Sequence, residues 1–147
     1  MALKLTLKPG EKFVINGAVV ANGDRRSNLV LHNKASILRE ADIMQADMVD
    51  SPAKRIYFAI MSMYLDEDGR PNYYDEFVLR TTEFMAAISS ADAVAICVEI
   101  SQHVMERRYY KALKNCKKLL KFEQSRLEYD LKSVSSGPKG RRATASD

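Results

Sequence analysis

Seven basic residues within the first forty positions are the side chains of this chain that are best suited to bind a ligand. They are Lys4, Lys8, Lys12, Arg25, Arg26, Lys34 and Arg39. On short strands, such side chains can neutralise phosphates while the strand edges read unpaired bases, which is the chemistry of RNA binding. The same residues could also form the ordinary polar face of a small sheet, where Lys prevents edge-to-edge pairing. Charge and spacing leave both interpretations open.

A second basic group lies in the last segment with a helical pattern. Its members follow one another at spacings of three or four residues and are Arg107, Lys111, Lys114, Lys118 and Lys121. This spacing aligns them as one stripe on a helix. A solvated helix face is the more frequent explanation of such a stripe. The functional alternatives are contact with an RNA backbone and docking of an acidic partner, for which Lys111, Lys114 and Lys118 are the candidate residues.

The charges are distributed unevenly along the 147 residues, although the net charge is only +4. Residues 1–40 carry seven bases and three acids, whereas residues 41–100 carry four bases and eleven acids. Residues 101–132 are basic again, with nine bases and four acids. An acidic middle between two basic ends suits a nucleic-acid surface beside a protein-binding surface.

The residue types that carry catalysis or bind metals have little support in this sequence. His32 and His103 are isolated, and no nucleophile is placed beside either one. Cys97 and Cys116 lack the close spacing of a zinc or redox site and lie in apolar helical patterns, where they act as small hydrophobic residues. Residues 66–69 faintly resemble a calcium loop, but a turn between helices explains them better. We therefore expect no catalytic residues, no metal and no cofactor, and we do not expect an enzyme.

The N-terminal segment has the period and the turns of short β-strands. Apolar residues alternate at Leu3, Leu5 and Leu7 and again at Phe13 and Ile15. The turn signals are Pro9-Gly10, Asn16-Gly17 and Asn22-Gly23, and two further strands are predicted at Asn28–Leu31 and Ser36–Arg39. These signals predict a small antiparallel meander.

The rest of the chain has helical patterns. Ser51-Pro52 is a good helix start. Lys54–Leu65 is apolar on almost every side, and this pattern predicts a buried central helix. A strand over Ile56–Ile60 is the alternative. Two more apolar faces follow, the first at Tyr74, Phe77, Val78, Thr81, Phe84, Met85 and Ile88, the second at Val94, Cys97, Val98, Ser101, Val104 and Met105. A last face runs from Tyr109 towards Leu127, and we expect a bend near His103 between the two final faces.

These elements predict an α+β protein with a small antiparallel sheet followed by three to four helices. The expected organisation is a basic β domain at 1–43, a helical domain at 44–132 packed on it, and a flexible basic tail at 133–147. No stretch has the pattern of a signal peptide or of a membrane span, and two cysteines in helical patterns suit reduced thiols. We therefore expect a cytoplasmic protein.

The whole chain resembles the FlbT family of flagellar biosynthesis regulators. The segments that carry the resemblance are Leu3–Phe13, Asn16–Val20, Asn22–Arg25, Asn33–Glu40, Asp42–Met44, Ile56–Phe58, Met63–Asp66 and Tyr109–Leu113. The resemblance implies a post-transcriptional regulator that binds the 5′ untranslated region of flagellin mRNA and represses its translation or promotes its decay. It also implies action alongside the small flagellar protein FlaF.

The N-terminal part is also similar, more weakly, to the carbon storage regulators, which are small RNA-binding β proteins. Leu5–Ile15 is similar to their first strand and turn, and Ile37–Ile43 to their final strand. By position, this similarity implies Arg39 as the main RNA contact, supported by Lys8 and Lys4. Leu7 and Leu38 depart from the pattern, because the family usually has a basic residue and a histidine there. Carbon storage regulators exchange strands in a dimer, so a homodimer is one of the oligomeric states left open.

A second function from a different class also follows from the charge pattern. The acidic, apolar helical half could bind FlaF or flagellin, as an adaptor or secretion-chaperone-like protein would, without direct contact to RNA. A flagellin leader RNA that is shifted by the purified protein alone would favour the first function. A shift that needs a protein partner, or no shift, would favour the adaptor.

Overall fold

The computed structural model of the protein describes residues 2–136, which form five strands followed by four α-helices. The strands are β1 (Leu3–Leu7), β2 (Lys12–Ile15), β3 (Ala18–Ala21), β4 (Ser27–Leu31) and β5 (Ile37–Arg39). The helices are α1 (Pro52–Leu65), α2 (Arg70–Ala87), α3 (Ala91–Met105) and α4 (Tyr109–Ser136), with short 3₁₀ turns at Glu40–Asp42 and Ala46–Met48 before α1. The predicted α+β class is confirmed.

The strands form two antiparallel sheets rather than the single meander predicted from the turns. β1 pairs with β4, and a second sheet has the order β3-β2-β5. The strands on either side of Pro9-Gly10 therefore belong to different sheets. Gly10 has a φ of 70°, and the Glu11 N–H donates to the Lys8 carbonyl at 3.1 Å, which is the geometry of a type II turn. That turn does not match the twist of paired strands, so β1 and β2 diverge.

The predicted hairpin at Asn16-Gly17 is confirmed. Asn16 and Gly17 have φ angles of 50° and 85°, as the two central positions of a type I′ turn require. The Asn16 side-chain oxygen accepts the Ser36 N–H at 2.9 Å, and the Asn16 N–H donates to the Ser36 carbonyl at 2.8 Å. The hairpin thereby fixes the segment that leads into β5.

The predicted start of α1 is also confirmed, and α4 contributes to it. Ser51 is the N-cap, and its hydroxyl oxygen accepts the Lys54 N–H at 3.4 Å. The Glu123 carboxylate accepts a hydrogen bond from the Ser51 hydroxyl and another from the Ala53 N–H at 3.0 Å. A carboxylate is favoured at a helix N-terminus because free N–H groups and the helix dipole attract it. The alternative strand over Ile56–Ile60 is wrong.

The sheet and the helices share one hydrophobic core. Ile56 and Ile60 of α1 are fully buried in it, together with Leu38 of β5, which is 1 % exposed, and Leu119 of α4. Leu7 is buried as well. Of the two leucines that depart from the carbon storage regulators, Leu38 is therefore apolar because its sheet packs against helices, whereas Leu7 is buried on β1 of the other sheet.

The apolar faces predicted for α2 and α3 are only half buried. Their buried members are Phe77, Thr81, Phe84, Cys97 and Val104. Their exposed members are Tyr74, Val78 and Met85 on α2 and Val94, Val98 and Met105 on α3. The reason is the packing of the helices, because α2 packs against α1 and α3 against α4, whereas α2 and α3 contact each other only sparsely.

A tight turn, instead of the expected bend near His103, separates α3 from α4. α3 ends at Met105, and α4 begins four residues later and packs alongside it. α4 continues to Ser136, so the helix includes the first residues of the predicted tail, while 137–147 lie outside the described residues. None of the helices in the described part of the chain is long and apolar enough to cross a membrane.

Candidate nucleic-acid interface

A cleft of about 1080 Å³ opens between the N-terminal sheets and the turns that precede α2 and α4. Six of its lining residues are basic, namely Lys34, Arg39, Arg70, Arg107, Arg108 and Lys111. Three tyrosines, Tyr64, Tyr109 and Tyr110, line it as well, and Glu67 is the acidic residue among the described lining residues. The cleft therefore combines cationic groups with aromatic rings.

The sheets form one wall of the cleft. Leu3 and Leu5 of β1 line it, so Lys4 between them points to the opposite face of its sheet because side chains alternate along a strand. Lys34 lies in the segment before β5 and is exposed. Within the described residues it has no ion-pair partner. Lys34 is thus a free cation on this wall.

Arg70 joins the two helical turns that form the other wall. Its Nε donates to the Met63 carbonyl at 2.8 Å, which anchors it to the end of α1. Its guanidinium carbon lies 4.5 Å from the centroid of the Tyr109 ring at the start of α4. A guanidinium at this distance from an aromatic face is attracted by the ring. Arg70 therefore fixes the position of Tyr109.

Two further tyrosines connect α1, β5 and α4. The Tyr64 hydroxyl donates to the Ile37 carbonyl at 3.0 Å and accepts the Ile37 N–H at 2.9 Å, so it pairs with the free edge of β5. Burial raises the pKa of Tyr64. The Tyr110 ring lies 5.7 Å from that of Tyr64, and it is 41 % exposed. Tyr110 thus contacts Tyr64 in a tilted arrangement and stays partly exposed in the cleft, where an aromatic ring can stack on a base.

Arg107 occupies the left-handed position of the turn between α3 and α4. Its φ is 59°, and its N–H donates to the Val104 carbonyl at 3.0 Å. The Arg108 N–H donates to the His103 carbonyl at 2.8 Å, which completes a Schellman motif. Glycine is the usual residue at this position, and a side chain there costs about 1 kcal/mol. The sequence nevertheless has an arginine, whose side chain lines the cleft and makes no ion pair with the described residues.

Arg39, the main RNA contact implied by the carbon storage regulators, lines the cleft but is already hydrogen-bonded. Its Nε and one Nη donate to the two carboxylate oxygens of Glu11 at 3.0 and 2.9 Å, and the same Nη donates to the Thr6 carbonyl at 2.6 Å. The hydrogen bond from the Arg39 side chain lowers the pKa of Glu11. The hydrogen bond from the Lys8 N–H lowers this pKa further. Arg39 thus links β5 to β1 and to the turn after β1, and its side chain stays 38 % exposed.

The other basic residues predicted for RNA binding on the sheets lie away from the cleft. Lys8 and Arg25 are close to each other, because the Asn22 side-chain amide donates to their carbonyls at 2.7 and 2.9 Å. Arg26 is the exposed neighbour of Arg25. Lys12 on β2 is exposed, and its N–H donates to the Glu40 carboxylate at 2.8 Å. The seven candidates are therefore divided, with Lys34 and Arg39 in the cleft and the rest elsewhere on the sheets.

The basic stripe of α4 begins in the cleft and leaves it. Lys111 lines the cleft, and the Lys114 amine lies 5.7 Å from the centroid of the Tyr110 ring. Lys118 and Lys121 are exposed further along the helix. Lys117, which is not part of the stripe, forms an ion pair with Asp42 beside α1. Only the first members of the stripe can therefore act together with the sheets.

Sequence reasoning did not single out Arg70 or Arg108, and for the tyrosines in helical patterns, which include Tyr64, Tyr109 and Tyr110, it favoured core packing over stacking on RNA bases. The run Arg107-Arg108-Tyr109-Tyr110 was a usable signal, since it places two arginines beside two aromatic residues. Arg70 gave no such signal, because its neighbour Tyr109 is distant in sequence. Among residues 2–136 no group of three or more His, Cys, Asp or Glu side chains could hold a metal ion.

Comparison with known proteins places the chain in a family. The model of the family described as "Flagellar protein FlbT" matches residues 3–127. A relative from Caulobacter vibrioides CB 15, named "Flagellum biosynthesis repressor protein FlbT", is 56 % identical over 137 residues, which are 93 % of this chain and 97 % of the relative. Two further relatives are named "Probable flagellum biosynthesis repressor protein FlbT". The one from Caulobacter sp. K31 is 58 % identical over 86 % of this chain and 97 % of the relative. The one from Rhodopseudomonas palustris CGA009 is 35 % identical over 86 % of this chain and 98 % of the relative. No solved structure matches the chain significantly. The chain therefore belongs to the FlbT family of flagellar proteins.

Proposed function

We propose that this chain is a non-catalytic, post-transcriptional regulator of flagellum biosynthesis. It binds the 5′ untranslated region of flagellin mRNA and represses translation of the message or promotes its decay. The names of the relatives, which describe flagellum biosynthesis repressors, support the regulatory role. The cleft between the sheets and the helical turns supports RNA as the ligand.

The observation that carries the RNA proposal is the combination of unpaired cations and an open aromatic ring in one cleft. Lys34, Arg107 and Lys111 lie on its walls without ion-pair partners among the described residues. Cations that are not neutralised by the protein can pair with phosphates. The exposed Tyr110 ring offers a surface on which an unpaired base can stack. A single-stranded or looped leader fits this chemistry better than a duplex, whose bases are already stacked.

The binding event itself supplies the regulation in this proposal. A leader RNA bound in the cleft is inaccessible to the ribosome, or it is held unpaired so that nucleases can cut it. Both outcomes need retention of RNA and no reaction by the protein. The exposed part of the Arg39 side chain contacts the RNA, while its hydrogen bonds to Glu11 hold the guanidinium in place.

The test is a filter-binding titration of a flagellin leader RNA with the purified protein at several salt concentrations. The double variant Lys34→Ala/Lys111→Ala removes two cations of the cleft, and Lys118→Ala/Lys121→Ala removes two exposed lysines outside it. If both cleft lysines contact phosphates, the slope of log K against log salt falls by about 1.4 in the cleft variant. The slope of the second variant should stay close to that of the wild type.

Equal slopes for the wild type and the cleft variant would remove the cleft from the RNA site. If the purified protein does not bind the leader at all, or binds it only together with a protein partner, the adaptor function replaces the RNA-binding one. In that function the acidic helical half binds a FlaF-type protein or flagellin, and the effects on mRNA are indirect.

A further inference from the structure

A second pocket adjoins the cleft at the turn between α1 and α2. Its volume is about 520 Å³, and four of its lining residues also line the cleft, namely Glu67, Arg70, Arg107 and Tyr109. We call it the side pocket. Sites for small ligands have volumes of roughly 300–1,000 Å³, so the side pocket has room for one nucleotide rather than for a run of them.

Aromatic and apolar side chains make up much of the rest of the side pocket. Tyr74 and Met105 line it and are exposed, and Val104 lines it as a buried residue. A flat base that covers exposed aromatic and apolar surface stabilises the complex, because this surface is removed from water. A phosphate gains nothing from such side chains. The lining therefore favours a nucleobase as the occupant.

Glu67 is the lining residue that binding of an RNA backbone does not explain. It is exposed in the turn before α2, and its carboxylate makes no ion pair with the described residues. Two arginines of the cleft have other partners, since Arg70 donates to the Met63 carbonyl and Arg108 pairs with Glu106. A free carboxylate repels phosphates, but it accepts hydrogen bonds from the donors on the edge of a base.

Guanine is the base whose edge fits a free carboxylate best. Its N1–H and N2–H₂ groups lie side by side and can donate to both oxygens of one carboxylate, as a guanidinium does. Adenine and cytosine present an amino group beside a ring nitrogen that accepts, and uracil presents one N–H between two carbonyls. In these three bases an acceptor would face one of the carboxylate oxygens. A carboxylate therefore selects guanine.

We propose that the side pocket binds one unpaired guanine of an RNA held in the cleft, with N1–H and N2–H₂ donating to the Glu67 carboxylate. Guanine O6, which lies next to N1, accepts from the Arg70 guanidinium, whose Nε is fixed at the Met63 carbonyl. This inference rests on the proposed function, because the guanine belongs to the RNA whose phosphates the cations of the cleft bind. It adds selection for a base to a site that otherwise binds the backbone.

The experiment measures binding of fluorescein-labelled RNA dodecamers to the full-length protein by fluorescence anisotropy. Each dodecamer is an oligouridine in which one central position is guanosine, adenosine, cytidine or uridine. We expect the guanosine dodecamer to bind at least tenfold more tightly than the other three, as a bidentate contact to a base provides. A dodecamer with central inosine, which lacks N2–H₂, should bind more weakly than the guanosine one because only N1–H remains.

Two variants in the same turn locate the contact. Glu67→Gln removes the charge and one of the two acceptor oxygens, while Asp68→Asn removes the same charge from an exposed neighbour that lines neither cavity. Glu67→Gln should reduce the preference for guanosine to less than threefold without weakening binding of the all-uridine dodecamer. Asp68→Asn should keep the full preference. Thermal unfolding of both variants shows whether they fold.

The outcomes separate this inference from the proposed function. If neither a flagellin leader RNA nor any dodecamer binds, the proposed function fails and the inference fails with it. If the leader RNA binds, but the dodecamers bind equally or the guanosine dodecamer does not bind, the cleft binds RNA and the side pocket does not take a guanine. A preference for guanosine that Glu67→Gln leaves intact would also overturn the inference, because the base is then recognised elsewhere.

Discussion

The Arg39 guanidinium donates to both carboxylate oxygens of Glu11 and to the Thr6 carbonyl, and it thereby connects the two sheets. Arg39 belongs to β5 of the three-stranded sheet, while Thr6 belongs to β1 of the other. No backbone ladder joins these sheets. The bidentate pair has the geometry in which an arginine binds a carboxylate most specifically. A residue implied as an RNA contact is thus also a structural link.

The two roles of Arg39 can be separated with two variants. Glu11→Gln removes the charge of the pair but keeps the arginine, whereas Arg39→Ala removes the arginine. We expect both variants to unfold at lower temperature than the wild type. Only Arg39→Ala should weaken binding of the leader RNA and reduce its salt dependence, because the cation is then lost. Differential scanning fluorimetry and the filter-binding titration measure the two effects. Unchanged affinity and salt slope in Arg39→Ala would leave Arg39 with the structural role alone.

The same pair predicts how stability depends on pH. Arg39 lowers the pKa of Glu11 in the folded protein, so the pair stabilises the fold at a pH above the ordinary glutamate pKa of about 4.3. This contribution is lost as the pH falls through the lowered pKa. Urea denaturation of the wild type and of Glu11→Gln between pH 6 and pH 3 should therefore show a difference in stability that shrinks towards the acidic end. A difference that is constant over this range would contradict the prediction.

Much of the local structure could be predicted from the sequence, because it depends on neighbouring residues. Asn16-Gly17 has the conformation that a hairpin requires, and Ser51-Pro52 has the cap and the fixed φ of a helix start. The pairing of β1 with β4 could not be predicted in the same way. The Pro9-Gly10 turn suggested that β1 would pair with β2, which follows it. The type II turn instead separates these two strands, and β1 pairs with β4.

The candidate site was only partly predictable for the same reason. Lys34, Arg39 and Lys111 were identified as basic residues, but nothing in their spacing indicated that the segment before β5 would lie beside the start of α4. Periodicity also predicted burial for Val78 and Val98, which are exposed. A helical period indicates which face is apolar, and it does not indicate whether the surface that covers this face belongs to the same chain.

The two cysteines should be unreactive in the folded protein. Both are buried and free, and burial raises the pKa of Cys97 to about 11, while that of Cys116 is also raised by burial. Since the thiolate is the reactive form, iodoacetamide at pH 8 should label neither residue in the native protein and both in urea. Mass spectrometry after timed labelling measures this. Labelling of native Cys97 at the rate of a free thiol would show that α3 opens from α4.

The Tyr64 hydroxyl should contribute measurably to stability because it pairs with both backbone groups of Ile37. Tyr64→Phe leaves this N–H and this carbonyl without their partner and should lower the free energy of unfolding by about 1–2 kcal/mol. Tyr73→Phe is the matched control, since the Tyr73 hydroxyl donates to Asp66 at 3.0 Å at an exposed site. Urea denaturation should show a smaller loss for the control. Equal losses would mean that the edge of β5 finds water as a substitute partner.

Arg107 offers the sharpest separation of stability from function. Arg107→Gly relieves the left-handed conformation at φ 59° and should raise the free energy of unfolding by about 1 kcal/mol. Arg108→Gly, at the next position, has no such conformation to relieve and should lower it. Arg107→Ala removes the cation without relieving the backbone. If Arg107 contacts phosphate, both Arg107 variants lose affinity for the leader RNA equally, although their stabilities differ. An Arg107→Gly protein that is more stable and binds RNA as well as the wild type would show that this arginine has no part in the site.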